Sequence, residues 1–419
     1  MSDVTTMILG PDLGGLTLRV AGAQASVLEG EPPAAAARLD CAGAVIEPGR
    51  INAHTHIYSG LAPLGLPAPE PAPQTFVQIL ERVWWRLDRG LDEASLRASA
   101  RLYVAEALLD GTTTLIDHHE SPDFIEGSLD VLATACTELG IRALLSYGAT
   151  ERNGGRLEGR RGLAECARFL AANDDPRLRG AVALHASFTV SDETIAEAAR
   201  LCAERSAVMH VHVAEDGKDQ VDAVDARARG YEGPLERLLW LGALPPGSIV
   251  VHGLDLSADQ VRRVHEAGCW IVQNPRSNHG NGVGYPRGLA VSDRVALGTD
   301  GYPARMGDEV QALREHAAAH GDDMDRVALR IAAGHRLAGE RFGGTFALPS
   351  VGGAPTVADL RVVEPDGTVR HVLVDGRVVV RDGVLLGGEL GEIRGEAQVQ
   401  AQRLWARMAE VGERRGALG

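Results

Sequence analysis

Two histidines stand one residue apart in Asn52-Ala53-His54-Thr55-His56, just after an apolar run ending Val45-Ile46. On an extended strand every second side chain shares a face, so both imidazoles project into the same space. Far downstream come His212 with Glu215, then His252, then Asp300, and each also closes a short apolar run. Several neutral imidazoles and one carboxylate, each at a strand end, make up the donor set of a catalytic Zn²⁺ or Fe²⁺ site. Such an ion activates water for hydrolysis.

Each piece also has a plainer reading. His-x-His alone fits two ordinary histidines near a turn. His210-Val211-His212 repeats the pattern; His212, nearer the strand end, reads as the ligand and His210 as a deeper barrel-filling residue. Glu215 on its own would be a solvated loop acid. Beside a metal it can shuttle a proton between the attacking water and a leaving nitrogen. Asp300 follows Leu297-Gly298-Thr299, and a buried acid is costly unless paired or metal-bound. His252, in Val250-Val251-His252-Gly253, has the same design. Around this set, His118, His119, His185, Arg152, Asn274 and Trp84 read as substrate contacts, against the alternatives of funnel lining, a surface pair or lid packing.

These residues need a frame that brings distant strand ends to one point. From about 48 to 345, short apolar runs alternate with Ala/Leu/Arg-rich helical stretches. The expected strands are 46–54, 112–117, 142–147, 181–185, 208–213, 249–252, 270–273 and 295–299, with helices such as 95–110 and 192–205, the latter capped by Ser191. Eight alternating units predict an α/β fold, a (β/α)₈ TIM-like barrel whose chemistry sits at the strand C-termini. Residues 1–47 and 346–419 flank this barrel (48–345). Their Val-rich runs and Asp-Gly turns predict short antiparallel strands that pair into one small discontinuous β-sandwich, followed by a surface helix over 396–415. The stretch 78–87, with Trp84-Trp85, reads as a lid.

Composition narrows the function. A net charge of −15 argues against nucleic acid and anionic membrane surfaces as partners. No apolar run reaches the ~20 residues of a bilayer span, and Met1-Ser2-Asp3-Val4 does not open a signal peptide. Five scattered cysteines without CxxC spacing read as buried thiols in a reducing cytoplasm. Lys218, the only lysine, follows Glu215 in an expected loop. It is badly placed to bridge two metals as a carboxylated lysine, so one metal is expected. Homo-oligomerisation is left open.

The ordered set His54-Thr55-His56, His212 with Glu215, His252, Asn274-Pro275-x-Ser277-Asn278 and Thr299-Asp300 resembles the amidohydrolase superfamily, in its deaminase/chlorohydrolase branch. Trp84-Trp85-Arg86-Leu87-Asp88, Asp117-His118-His119 and His185-Ala186-Ser187-Phe188-Thr189 resemble the SsnA-type aminohydrolases. The resemblance implies one Zn²⁺ or Fe²⁺ on His54, His56, His212 and Asp300, with His252 at the metal as ligand or water-orienting group. It implies Glu215 as proton shuttle and His185 as a substrate contact. The expected reaction is hydrolytic deamination of a small nitrogen heterocycle, such as a purine, pyrimidine or triazine. Ring-opening amide or amidine hydrolysis and halide displacement are the alternatives at the same site. Gly49-Arg50 departs from the branch, where an apolar residue usually follows the glycine.

Overall fold

The computed structural model describes residues 6–33, 36–216 and 230–416, with side chains as far as 411; Lys218 lies outside the described residues. Eight parallel strands form the barrel: β1 (Arg50–Thr55), β2 (Thr112–Asp117), β3 (Arg142–Leu145), β4 (Val182–Ala186), β5 (Met209–Val213), β6 (Ile249–His252), β7 (Trp270–Gln273) and β8 (Val295–Leu297). Strands such as β2 (TTTLID) and β6 (IVVH) are buried along their whole length. That is the state of parallel strands covered by helices.

The strands run in two arcs, β1-β2-β3 and β4 to β8. Leu178–Gly180, leading into β4, pairs with β3, and Ala181 N donates to Leu145 O at that seam. At the other seam the amides of Thr299 and Asp300 donate to His54 O at 2.9 and 3.1 Å, and His56 N donates to Asp300 O at 3.2 Å. Backbone pairing therefore fixes the ends of β1 and β8 against each other, where the sequence places His54, His56 and Asp300.

The expectation of one strand over 46–54 is corrected. Val45–Pro48 leaves the barrel and pairs antiparallel with Leu360–Val363, Ile46 opposite Val362. Gly49 makes the break: a Cβ there would sit 2.2 Å from Thr113 Cγ2. Two five-stranded sheets drawn from both ends of the chain enclose Leu9, Leu18, Val20, Ile46, Leu360 and Leu373.

The terminal helix, Leu390–Gly416, is longer than expected and is no mere surface element. It buries Ile393, Ala397, Ala401 and Leu404. Arg407 Nε donates to Gly90 O at 2.6 Å, and Arg86 Nη2 donates to Met408 O at 3.1 Å. The helix thus props the segment Phe76–Gly90, which carries Trp84 and Trp85 and contains a wide π-type turn over Leu80–Trp84. Such turns are frequent at functional sites. Two of the long helices begin at side-chain caps that the sequence shows: Asp92 and Ser95 form a capping box for Glu93–Leu109, and Ser191 caps Asp192–Arg205 as expected.

Candidate metal centre

His54 and His56 leave β1 on one face, His212 stands near the end of β5, and Asp300 follows β8. One ligand atom from each of the four lies within 4.8 Å of the others, and all four residues are buried. Each imidazole is oriented through its far nitrogen. His56 Nδ1 meets His118 O at 2.6 Å and His212 Nδ1 meets His185 O at 2.6 Å. A carbonyl accepts only, so Nδ1 carries a proton in both rings and Nε2 is the atom turned toward the cluster, the usual arrangement behind a metal-binding histidine. His54 Nδ1 faces His210 Nε2 at 3.0 Å, and its own Nε2 is buried without a hydrogen-bond partner, 3.4 Å from Asp300 Oδ1. Without a metal, a proton on one of these rings is all that keeps bare lone pairs from facing a buried carboxylate; a divalent cation would answer them all, so the residues fit a divalent metal.

The electrostatics agree. Burial pushes His54 down to about 3, and burial with neighbouring imidazoles lowers His212. Burial also works against protonated His56, but Asp300, 3.0 Å away, outweighs it and lifts that group to about 9. Burial would raise Asp300; the neighbouring imidazoles of His54 and His56 win and hold it well below the carboxylate range. With no metal bound, a proton on His56 balances Asp300, and a cation would displace it.

The backbone is strained at this point. His252 has φ 71° and Asp300 φ 54°, left-handed values that are uncommon for residues with a Cβ. A buried network locks the seam beneath them. Asn52 Nδ2 donates to Thr299 Oγ1 at 2.7 Å, Thr299 N donates to Asn52 Oδ1 at 3.1 Å, and Tyr103 OH lies 2.8 Å from Thr299 Oγ1. Gly298 has no alternative, since a Cβ there would meet His54 O at 2.5 Å.

Glu215 and His252 complete the arrangement. Glu215 Oε1 lies 3.3 Å from His252 Nε2, and ligand atoms of Glu215, His252 and Asp300 also fall within 4.8 Å of one another. His252 Nδ1 is 3.1 Å from Asn278 Oδ1 and 3.2 Å from Asn274 Nδ2. Asn278 Oδ1 can accept a hydrogen bond from Nδ1–H and leave Nε2 basic; Asn274 Nδ2 can donate to Nδ1 and leave Nε2–H facing Glu215.

A cavity opens above the cluster. Phe76, Leu80, Trp84 and Trp85 wall one part of it, and His185, Tyr58, Glu120, Asn281 and Glu215 line it too. Of the six residues read as substrate contacts, Trp84 and His185 line this cavity. The other four stand behind its wall. His118 Nε2 donates to Leu184 O, His119 pairs with Ser121 Oγ, Asn274 supports His252, and Arg152 Nη2 donates to Asp88 Oδ2 at 2.8 Å with its guanidinium over Trp85. Sequence reasoning missed Tyr58, Asp88, Glu120 and Asn281. Glu120 directly follows His118-His119, and that adjacency was the available signal.

A model of the amidohydrolase family matches residues 45–340. The chain belongs to the amidohydrolase family. This amidohydrolase is 27% identical over 411 residues to the 5-methylthioadenosine/S-adenosylhomocysteine deaminase of Halobacterium salinarum, covering 91% of this chain and 92% of that one. It is 30% identical over 265 residues to the 8-oxoguanine deaminase of Pseudomonas aeruginosa, covering 59% and 58%. Its fold matches an adenosine deaminase from Xanthomonas campestris with bound zinc (TM-score 0.78, 21% identity, 95% of this chain and 97% of that one). It also matches the atrazine chlorohydrolase of Arthrobacter aurescens TC1 complexed with zinc (TM-score 0.75, 20% identity, 95% and 98%). As an amidohydrolase the chain is a hydrolase acting on carbon–nitrogen bonds. No helix among the described residues is long and apolar enough to cross a membrane.

Proposed function

We propose that this amidohydrolase deaminates a small nitrogen heterocycle, with His54, His56, His212 and Asp300 holding one divalent metal. The observation that carries the reading is the Glu215–His252 pair, 3.3 Å apart, with Glu215 lining the cavity and both within reach of Asp300. Metal binding alone does not require such a pair. Zn²⁺ and Fe²⁺ both suit three imidazoles and a carboxylate. Zinc is our choice because the two fold neighbours named above hold it. The deaminase names of the relatives support the heterocyclic substrate.

A divalent ion at this site lowers the pKa of a water it binds towards about 7 and polarises the oxygen that develops on the substrate. The protein's own groups move the protons. Asp300 and Glu215 flank the attack site, and the attacking water gives up its two protons in turn. Glu215 takes the first and delivers it to the ring nitrogen next to the attacked carbon, where it stays; Asp300 takes the second from the new C–O–H group, and it passes to the exocyclic amine. The new C–O bond forms, the C–N bond breaks, and ammonia leaves with the proton it needs. His252, held by Asn274 and Asn278, orients the water and steadies the oxygen's developing charge. The lid tryptophans and Phe76 keep bulk water from the ring. The buried, free cysteines fit a reducing cytoplasm as its compartment.

The test is ammonia release by metal-loaded protein from a panel of amino-purines, amino-pyrimidines and amino-triazines. We expect ammonia from at least one class, and retention of metal with loss of rate in Glu215→Gln. Ring opening would instead give a product heavier by one water with no ammonia, and halide release would point to dehalogenation. No ammonia from any member would sink the deaminase reading.

A further inference from the structure

Glu120 is the one carboxylate lining the cavity, among the described residues, that the reaction above does not use. It follows β2 and is 3% exposed. Its Oε2 receives Tyr58 OH at 3.3 Å, but its Oε1 is buried without a hydrogen-bond partner. The nearest groups do not repair this. His118 Nδ1 lies 3.4 Å from Oε1 without a hydrogen bond to it, while His118 Nε2 faces Leu184 O at 3.1 Å. His185 Nε2 is 4.0 Å away. Arg152 Nη2 is 3.8 Å from Oε2 and is committed to Asp88 at 2.8 Å.

Placement limits what can fill the gap. One oxygen of Glu120 and one ring nitrogen of His212 lie within 4.8 Å of each other. A group touching Glu120 therefore belongs to the ring under attack, not to a distant substituent. No Arg or Lys among the described residues lines the cavity, whereas Glu120, Glu215 and Asp300 do. A phosphate or carboxylate placed beside Glu120 would face that like charge at close range. An N–H edge meets a ready acceptor, and a buried charged acceptor rewards such a donor strongly.

We infer that Glu120 is a specificity-determining residue, and that the substrate ring presents N–H donors to it, as a 2-amino-4-oxo-diazine edge does. Tyr58 OH, 3.3 Å from Oε2, holds the carboxylate in place, with the Arg152 guanidinium behind it at 3.8 Å. The inference rests on the deaminase reading for the presence of a ring at the metal, and its test is separable from that reading.

The experiment measures binding by calorimetry to zinc-loaded Glu215→Gln protein, which does not turn the ligands over. The probes are two pairs that differ by one amino group: 2-aminopyrimidin-4-one with pyrimidin-4-one, and guanine with hypoxanthine. We expect the amino ring to bind at least about tenfold more tightly in one pair. Adding Glu120→Gln should shrink that preference to about twofold or less, with zinc per chain and melting temperature unchanged. Equal affinity within both pairs, a preference that survives Glu120→Gln, or no binding by any probe overturns the inference. Loss of zinc in Glu120→Gln also overturns it, by assigning the carboxylate to metal binding. A preference that depends on Glu120, from a wild-type protein releasing no ammonia, would keep this inference and remove deamination.

Discussion

Two buried charge networks in this molecule differ in one respect that separates scaffold from site. Where barrel meets sandwich, Arg142 Nε and Nη2 donate to Asp359 at 2.9 and 3.0 Å, Nη2 also reaches Asp375 at 3.1 Å, and Asp375 N donates to Asp359 at 2.7 Å. Both carboxylate oxygens of Asp359 are used. Behind the cavity, Arg152 joins Asp88 and approaches Glu120, but Asp88 Oδ1, Arg152 Nη1 and Glu120 Oε1 are all buried without hydrogen-bond partners. A buried ion pair is tolerable when every lone pair and proton is answered. The first network meets that condition from within the chain. The second does not, and it borders the substrate cavity. Completeness of hydrogen bonding, rather than burial or charge, distinguishes the two.

The comparison makes predictions, the largest concerning chemistry. Glu215→Gln should cost about 10²- to 10⁴-fold in kcat, the usual worth of a general acid–base group, while bound metal and melting temperature stay near wild type. Steady-state rates with metal analysis check this; a parallel loss of metal would make Glu215 a ligand. At the sandwich the effect should fall on stability instead. Arg142→Met strands Asp359 in a buried site and should destabilise the fold by about 3–5 kcal/mol in denaturant titration. Activity per folded molecule should persist.

The next effect is pH-dependent. His56 with a folded-state value near 9 keeps its proton at neutral pH when no metal is present, and a ligand must give that proton up. Metal affinity should therefore rise with pH, by about tenfold per unit for the one proton displaced, and level off near pH 9. Competition with a chelator across that range reads it, and a flat profile would contradict the assignment of His56. Glu120→Gln should change stability by less than about 1 kcal/mol, because the charge it removes is incompletely paired; a cost as large as that of Arg142→Met would erase the contrast. A comparably small effect belongs to the scaffold: Ser191→Ala should cost about 1 kcal/mol as the cap of Asp192–Arg205 is lost.

Much of this was legible in the chain. Parallel strands buried on both faces read as apolar runs, and a polar residue closing such a run stands out; that signal located His56, His212, His252 and Asp300. The boundary at Gly49 was hidden because Val45-Ile46 and Ile51 are apolar on both sides of it, although the two runs pair with different sheets. The terminal helix looked solvated because its buried stripe, Ile393, Ala397, Ala401 and Leu404, is thin and half made of alanine. His118, His119 and Arg152 share the residue types of the site, but their roles depend on partners far along the chain, such as Leu184 O and Asp88. Spacing carries no record of such contacts, and the same reason hid Glu120.

The central claim is that four side chains from three strand ends hold one divalent cation. Metal content of purified wild-type protein and of Asp300→Ala, measured by plasma mass spectrometry after equilibration with zinc, tests it most directly. The account predicts about one zinc per wild-type chain and under about a tenth of that in the variant. Full occupancy in Asp300→Ala, or a wild-type chain that turns over substrate without bound metal, would contradict it.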